Sequence, residues 1–262
     1  MLLAIDVGNT HTVFALYNDT LDGVWRMATD CHRTEDEYAA QLLLLMQQAG
    51  INAANINGAI LSSVVPDTIF PLRQLCSKYF NTQALVVGKD ALKLDMRVII
   101  DTPSELGADR LVNAVAAWHS HKQALIVIDF GTATTFDVVN AQGDYIGGVI
   151  APGVNVSLEA LQKAAAKLHG IVIRQPEKVI GTCTTSAMQS GIYHGYMGLI
   201  EGILSGIKRE YGHNMKVVAT GGLADLFARD STVIDEVDSN LTMRGLQLIY
   251  QQNSASAQIR RA

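Results

Sequence analysis

The chain has 262 residues, enough for one large domain or two of ordinary size, and at 48% hydrophobic and 17% charged it can bury a substantial core. A net charge of −5, with no basic cluster beyond the closing Arg260-Arg261, argues against a nucleic-acid partner. No apolar run approaches the roughly 20 residues that span a membrane, and no charged stretch precedes the first apolar run as in a signal peptide, so the chain reads as soluble and cytoplasmic.

The first element sets a theme. Leu2-Leu3-Ala4-Ile5 is an apolar strand that leads directly to Asp6-Val7-Gly8-Asn9-Thr10, and Thr12-Val13-Phe14-Ala15-Leu16 leaves that turn as a second strand. The tip of this hairpin presents a carboxylate, hydroxyls and backbone N–H groups, a set suited to metal-bound phosphate. After a turn at Leu21-Asp22-Gly23, Val24 to Ala28 reads as a third strand. A helix opens near Thr34-Glu35-Asp36-Glu37, with acidic residues suited to the dipole at its start. Its apolar positions are Tyr38, Leu42, Leu45, Met46 and Ala49, and Gly50 is the stop. Gly58 to Val64 is a buried strand, Pro66-Asp67 begins a helix running to about Phe80, and Leu85-Val86-Val87 is a further strand. Pro103-Ser104-Glu105-Leu106-Gly107-Ala108-Asp109-Arg110 introduces a helix that runs to about His121.

The theme then recurs. Ala124 to Ile128 is an apolar strand ending in Asp129-Phe130-Gly131-Thr132-Ala133-Thr134-Thr135, followed by Phe136 to Val139, a turn at Ala141 to Asp144, and a strand from Tyr145 to Ile150. Strand, Asp-x-Gly-x-Thr, strand, turn and strand thus occur twice, which reads as a duplicated α/β lobe with an interlobe cleft for a ligand. The expected lobes are residues 1–115 and 116–250, with 251–262 a frayed polar tail. The second lobe continues with a helix from Val154 to about Leu168 and a loop carrying Arg174, Pro176 and Gly181. A long helix from Thr184 to Tyr211 follows. Its Gly191, Gly195, Gly198, Gly202 and Gly206 share one face, which implies close packing by another element of this chain, a second copy or a ligand. Lys216 to Ala219 is the last clear strand. It runs into Thr220-Gly221-Gly222, a turn that can receive an anion or a planar base at a helix start, and a final helix covers Leu241 to Tyr250.

Asp6 and Asp129 stand at the carboxyl ends of equivalent strands. Singly, each reads as an aspartate that stabilises its own turn; as a pair they suit a cation and the phosphates it accompanies. Gly8 and Gly131 let backbone approach a ligand, and Thr10, Thr132, Thr134 and Thr135 add hydroxyls. Asp109 falls in the first turn of a helix, where the dipole favours its ionised form and equips it to accept a proton in phosphoryl transfer. Arg110 beside it either clamps an anion or forms a surface pair. There is no GxxxxGK[ST] and no GxGxxG. Seven histidines show no metal spacing, and Cys31, Cys76 and Cys183 read as buried free thiols.

The paired acidic turns and the late Gly-Gly turn resemble the sugar kinase, Hsp70 and actin superfamily of ATP-binding proteins, built from two ribonuclease H-like lobes. Within it, DVGNTHTVFAL (Asp6 to Leu16), PSELGADR (Pro103 to Arg110), IDFGTATTFDVV (Ile128 to Val139), GGVIAPGV (Gly147 to Val154), TTSAMQSG (Thr184 to Gly191) and ATGGLA (Ala219 to Ala224) closely resemble type III pantothenate kinase. The resemblance implies ATP-dependent phosphorylation of pantothenate, the first step of coenzyme A synthesis, with Mg²⁺ accompanying ATP. It implies that Asp6, Val7, Gly8, Asn9, Thr10, His11, Thr12 and Val13 bind ATP phosphates, that Thr132 also touches ATP, and that Asp129 holds a monovalent cation, K⁺ or NH₄⁺. Gly107, Ala108, Asp109 and Arg110 would line the pantothenate pocket, with Asp109 as general base, and Thr184 would contact pantothenate. Ile100 takes the place of a substrate-binding tyrosine common in the family, and Cys183 that of an asparagine. The family is typically a homodimer. Two rival readings are a non-catalytic regulator and a phosphohydrolase that acts without pantothenate.

Overall fold

The computed structural model describes residues 1–164 and 170–259. The chain divides into two compact units, Met1–Ser120 with Asn240–Ala262, and His121–Ser239.

The first unit contains β1 (Leu2–Val7), β2 (His11–Tyr17), β3 (Leu21–Ala28), α1 (Glu35–Gln48), β4 (Gly58–Ser63), α2 (Ile69–Phe80), β5 (Ala84–Val86) and α3 (Ala108–His121). Its sheet runs β3-β2-β1-β4-β5. The first three strands form an antiparallel meander, and β4 and β5 add in parallel through helical crossovers. Alternate residues of β1, Leu3, Ile5 and Val7, pack with Phe14 and Leu16 against Tyr38, Leu42 and Met46 of α1 and Leu72 and Leu75 of α2. Thr34 caps α1 reciprocally: its hydroxyl accepts from the Glu37 N–H, and the Glu37 carboxylate accepts from the Thr34 N–H at 2.8 Å.

The second unit repeats this plan with β6 (Leu125–Phe130), β7 (Ala133–Val139), β8 (Tyr145–Pro152), α4 (Val154–Ala164), α5 (Thr184–Tyr211), β9 (Lys216–Gly221), α6 (Ala224–Ala228) and β10 (Glu236–Val237). The order β10-β9-β6-β7-β8 is again a meander of three with two parallel additions. Its core stacks Phe227 on Phe130 and on Tyr193, with ring centroids 5.2 and 5.6 Å apart. The duplicated lobe predicted from the two acidic turns is therefore present.

Several expectations change. The first lobe does not end at residue 115: its unit runs to Ser120 and takes back the chain's last segment. That segment is α7 (Leu241–Ile259), which continues well past Tyr250 where a frayed tail was expected. It returns to the first unit because glycines make room for it. A Cβ on Gly245 would strike the Val112 carbonyl, and one on Gly58 would strike the Tyr250 ring. Thr242 also donates to the Asn113 side chain at 2.7 Å. The Pro103 segment introduces its helix as expected, through a 3-10 turn, Pro103–Glu105, and Leu106-Gly107 ahead of α3. The end of the Val154 helix near Leu168 and the Arg260-Arg261 pair lie outside the described residues. Of the cysteines only Cys76 is buried, where desolvation pushes its thiol up to about 12; Cys31 and Cys183 are exposed.

Candidate active site

The β1–β2 turn places the Asp6 segment. Asp6 pairs across the sheet with Val13 on one side and Ser62 on the other, one residue short of the end of β1. Asp6 and Val13 are half-buried, Val7 and Thr12 are buried, and Asn9, Thr10 and His11 are exposed. The turn is closed by the Gly8 N–H donating to the His11 carbonyl at 2.9 Å. Thr29, just past β3, fastens it from behind. The Thr29 hydroxyl donates to the Gly8 carbonyl at 2.8 Å, its N–H donates to the Thr10 carbonyl at 3.0 Å, and its oxygen lies 3.0 Å from the Thr12 hydroxyl. Nothing in the sequence motif singles out Thr29. The signal is its place immediately after the third strand of the meander.

The Asp129 turn occupies the equivalent place in the second unit, with Asp129 opposite Thr135 on β7 and Thr220 on β9. The two turns are not identical. Gly131 to Ala133 intervene between paired Phe130 and Thr134, whereas Gly8 to His11 intervene between Val7 and Thr12, so the first turn is one residue longer. The Gly131 N–H closes the second turn on the Ala133 carbonyl at 3.0 Å. Thr132 is exposed at its tip.

Two glycines shape that turn. Gly221 has φ +92°, and a Cβ there would lie 2.6 Å from both the Asp129 Oδ1 and the Phe130 N. Its neighbour's N–H donates to the Phe130 carbonyl at 3.1 Å. The Gly221-Gly222 pair therefore seats the Asp129 carboxylate. It does not head a long helix able to receive an anion, since α6 spans only five residues. Gly153, just past β8, was not singled out from the sequence. A Cβ there would collide with the Thr132 carbonyl and lie 2.8 Å from the Gly131 carbonyl oxygen. The half-buried Asp129 carboxylate, cradled where a side chain on residue 221 would intrude, fits a role in holding a cation. Among the described residues no cluster of three or more metal-ligating His, Cys, Asp or Glu side chains occurs.

Asp109 is the second residue of α3, as expected, and half-buried. Its carboxyl nevertheless titrates above an exposed aspartate. Burial pushes the carboxyl above the ordinary carboxylate value, outweighing the Arg110 N–H, which donates to Oδ1 at 2.8 Å, and the Arg110 guanidinium. The helix start alone does not decide its charge. Gly107 gives this carboxylate its position: a Cβ on residue 107 would lie 2.6 Å from the Asp109 Oδ1. Ala108 is buried, and Arg110 and Ile100 are half-buried, Ile100 in an irregular stretch ahead of the 3-10 turn.

Thr184 is the exposed first residue of α5. Together with Gly181, Cys183, Met188 and Ile192 it lines an open cavity of about 770 Å³. A Cβ on Gly181 would lie 2.6 Å from the Ser186 carbonyl carbon, so this glycine lets the loop close onto the helix start. The Cys183 thiol is drawn below its ordinary range by the Ser186 hydroxyl 3.2 Å away. Along the same helix, Gly191, Gly195, Gly198 and Gly202 are exposed, and among the described residues no atom comes within 4 Å of a Cβ built on any of the five stripe glycines. Packing among the described residues does not account for the stripe.

The first unit thus carries the Asp6–Val13 turn, Ile100 and Gly107–Arg110; the second carries Asp129, Thr132 and Thr184.

Comparison with known proteins bears on the fold and on the family. A solved structure from Campylobacter jejuni, described as a conserved Baf family transcriptional activator, superposes with a TM-score of 0.61 at 17% identity and covers 97% of this chain and 99% of that one. A structure described as a 2-dehydro-3-deoxygalactonokinase from Sinorhizobium meliloti gives a TM-score of 0.59 at 12% identity, covering 95% of each chain. At these identities the two speak to the fold alone, which is that of the sugar kinase and actin-like ATPases. In sequence, the type III pantothenate kinase of Paramagnetospirillum magneticum is 55% identical over 255 residues, covering 97% of this chain and 98% of that protein. With the family model for type III pantothenate kinase matching residues 2–206, the chain belongs to the type III pantothenate kinase family.

Proposed function

We propose that this protein transfers the γ-phosphoryl group of ATP to the terminal hydroxyl of pantothenate, giving 4'-phosphopantothenate and ADP, the first step of coenzyme A biosynthesis. The observation that carries this reading is full-length kinship to type III pantothenate kinases, on a frame in which the Asp6 and Asp129 turns are repeated.

Asp109 is the general base. It takes the proton from the pantothenate hydroxyl as that oxygen attacks the γ-phosphorus; the new P–O bond forms while the bond to the ADP oxygen breaks. Its burial at the helix start makes it a stronger base than an exposed carboxylate, which suits it to accept that proton. Gly107, Ala108, Arg110, Thr184 and Ile100 shape the pantothenate site. Ile100, in place of the family's common tyrosine, replaces a hydroxyl contact with an apolar one. The Asp6–Val13 segment and Thr132 bind ATP, the exposed tip at Asn9 to His11 offering hydroxyl and N–H donors to phosphate oxygens. Asp129 holds a monovalent cation, K⁺ or NH₄⁺, and Mg²⁺ accompanies the ATP phosphates; bound there, these ions offset phosphate charge. Catalysis is then mainly positioning and charge compensation.

The glycine face of α5, on which no described residue packs, fits a contact with a second copy in a homodimer, and the enzyme works in the cytoplasm.

Replacing Asp109 with alanine tests the base assignment. Turnover should fall by about two to four orders of magnitude, the usual worth of a general base, while ATP binding by calorimetry stays within a few-fold. Near-normal turnover would remove Asp109 from that role.

A further inference from the structure

The phosphate-facing turn of the first unit is fastened by a residue outside every motif quoted above. We infer that Thr29 is a positioning residue for the ATP site, an inference that rests on the Asp6–Val13 segment binding ATP phosphates.

Thr29 makes three contacts with the turn. Its single hydroxyl proton goes to the Gly8 carbonyl at 2.8 Å. The 3.0 Å contact between the Thr29 and Thr12 hydroxyls must therefore use the proton of Thr12, a fully buried side chain that would otherwise lack this acceptor. The Thr29 N–H holds the Thr10 carbonyl at 3.0 Å. One residue thus draws two carbonyls of the turn inward. In a trans peptide the N–H points opposite to the C=O, so turning the Gly8 carbonyl toward Thr29 directs the Asn9 N–H to the other side. Residues 9–11 are themselves exposed, so an Asn9 N–H turned away from Thr29 is open to a phosphate oxygen. The hydroxyl of Thr29 acts through this peptide and touches no phosphate itself.

The second unit provides an internal contrast. Thr29 follows the last residue of β3, which pairs His11 with Ala28; Gly153 follows the last residue of β8, which pairs Ala133 with Pro152. The two positions are equivalent in the duplicated frame. At Gly153 no side chain exists, and the Thr132 and Gly131 carbonyls crowd against its backbone instead. The threonine equivalent to Thr12 is Thr134, which is fully buried with no hydrogen-bond partner for its hydroxyl among the described residues. So the longer first turn is held by a side-chain clamp, and the shorter second turn by direct backbone contact. The clamp belongs to the turn that carries the N–H donors.

The test compares Thr29→Val, which keeps the shape and loses the hydroxyl, with Thr29→Ser, which keeps the hydroxyl. Amide exchange in the wild-type protein comes first: a non-hydrolysable ATP analogue should slow exchange across residues 8–12. If it does not, the phosphate-site reading itself fails. Given that protection, Thr29→Val should raise the KM for ATP about tenfold, the scale of one or two lost buried hydrogen bonds. Its pantothenate KM should stay within twofold, and exchange at Asn9 to His11 in the free protein should quicken. Thr29→Ser should match wild type within about twofold in all three readouts. An unchanged ATP KM in Thr29→Val, a serine variant as impaired as the valine variant, or equal weakening of both substrates would each overturn the inference. Should Thr29→Val not fold, Thr29→Ala supplies the same comparison, and failure of both to fold would reduce Thr29 to a structural residue.

Discussion

At the scale of single residues the proposed chemistry turns on Asp109. Its carboxyl sits above the ordinary value because burial outweighs the N–H and guanidinium of Arg110. The sign of the consequence follows from linkage. A folded-state value raised above the unfolded one favours folding at low pH, and that advantage is lost as pH rises from the unfolded value through the folded one. At neutral pH the ionised Asp109 therefore weighs against stability. Asp109→Asn is expected to melt higher than wild type at pH 7 while being inactive, the difference closing in acid below the ordinary carboxylate range; an equal or lower melting temperature at pH 7 would contradict this. Turnover should fall on the acid side at a pH above that of an exposed aspartate. Gly107 offers a second residue-scale test. A Cβ there presses on the Asp109 Oδ1, a flexible target, so Gly107→Ala should keep the fold but lower kcat by about ten- to a hundredfold. Unaltered kcat would detach Gly107 from Asp109. The types and places of Asp6, Asp109 and Asp129 were legible in the motifs. The ionisation of Asp109 was not, because desolvation depends on what packs around α3 rather than on its position in the helix. Thr29 and Gly153 were hidden for a related reason: their partners are backbone carbonyls well upstream in the chain, which no local spacing reveals.

At the scale of elements the strong periodic segments were read well and the short ones were not. α1, with its Thr34–Glu37 cap, and α5, from Thr184 to Tyr211, match the expected helices closely. The two-residue β10 and the five-residue α6 carry too little pattern to be seen and exist because β9 offers an edge and Phe227 a stacking partner. The glycine stripe of α5 was legible as a stripe, but its purpose was not. Helical glycines cost up to about 1 kcal/mol each against alanine, and among the described residues nothing uses the space they leave. Gly195→Glu at the centre of this face should convert the expected homodimer to monomer, as measured by light scattering after gel filtration. A dimer that persists at the same concentration would take the stripe out of the interface.

At the scale of the whole molecule the governing fact is duplication. One meander-plus-parallel sheet was used twice, and each copy ends its central strand in an aspartate. That repeat was legible because both hairpins keep the same order of apolar run, Asp-x-Gly and apolar run. The return of α7 to the first unit was not, since it depends on Gly58 and Gly245 leaving room for Tyr250 and for the Val112 backbone. The copies have diverged in turn length and in how each turn is held, in line with the phosphate contacts proposed at the first and the cation proposed at the second. Activity in Na⁺ alone should accordingly be much lower than in K⁺ or NH₄⁺, and equal rates would reject Asp129 as part of a selective cation site. The most direct test of the central claim is a coupled assay of ADP release with Mg-ATP and K⁺, with and without pantothenate. The account predicts ADP formation that depends on pantothenate and matches 4'-phosphopantothenate one for one; ADP released at the same rate without pantothenate would contradict it.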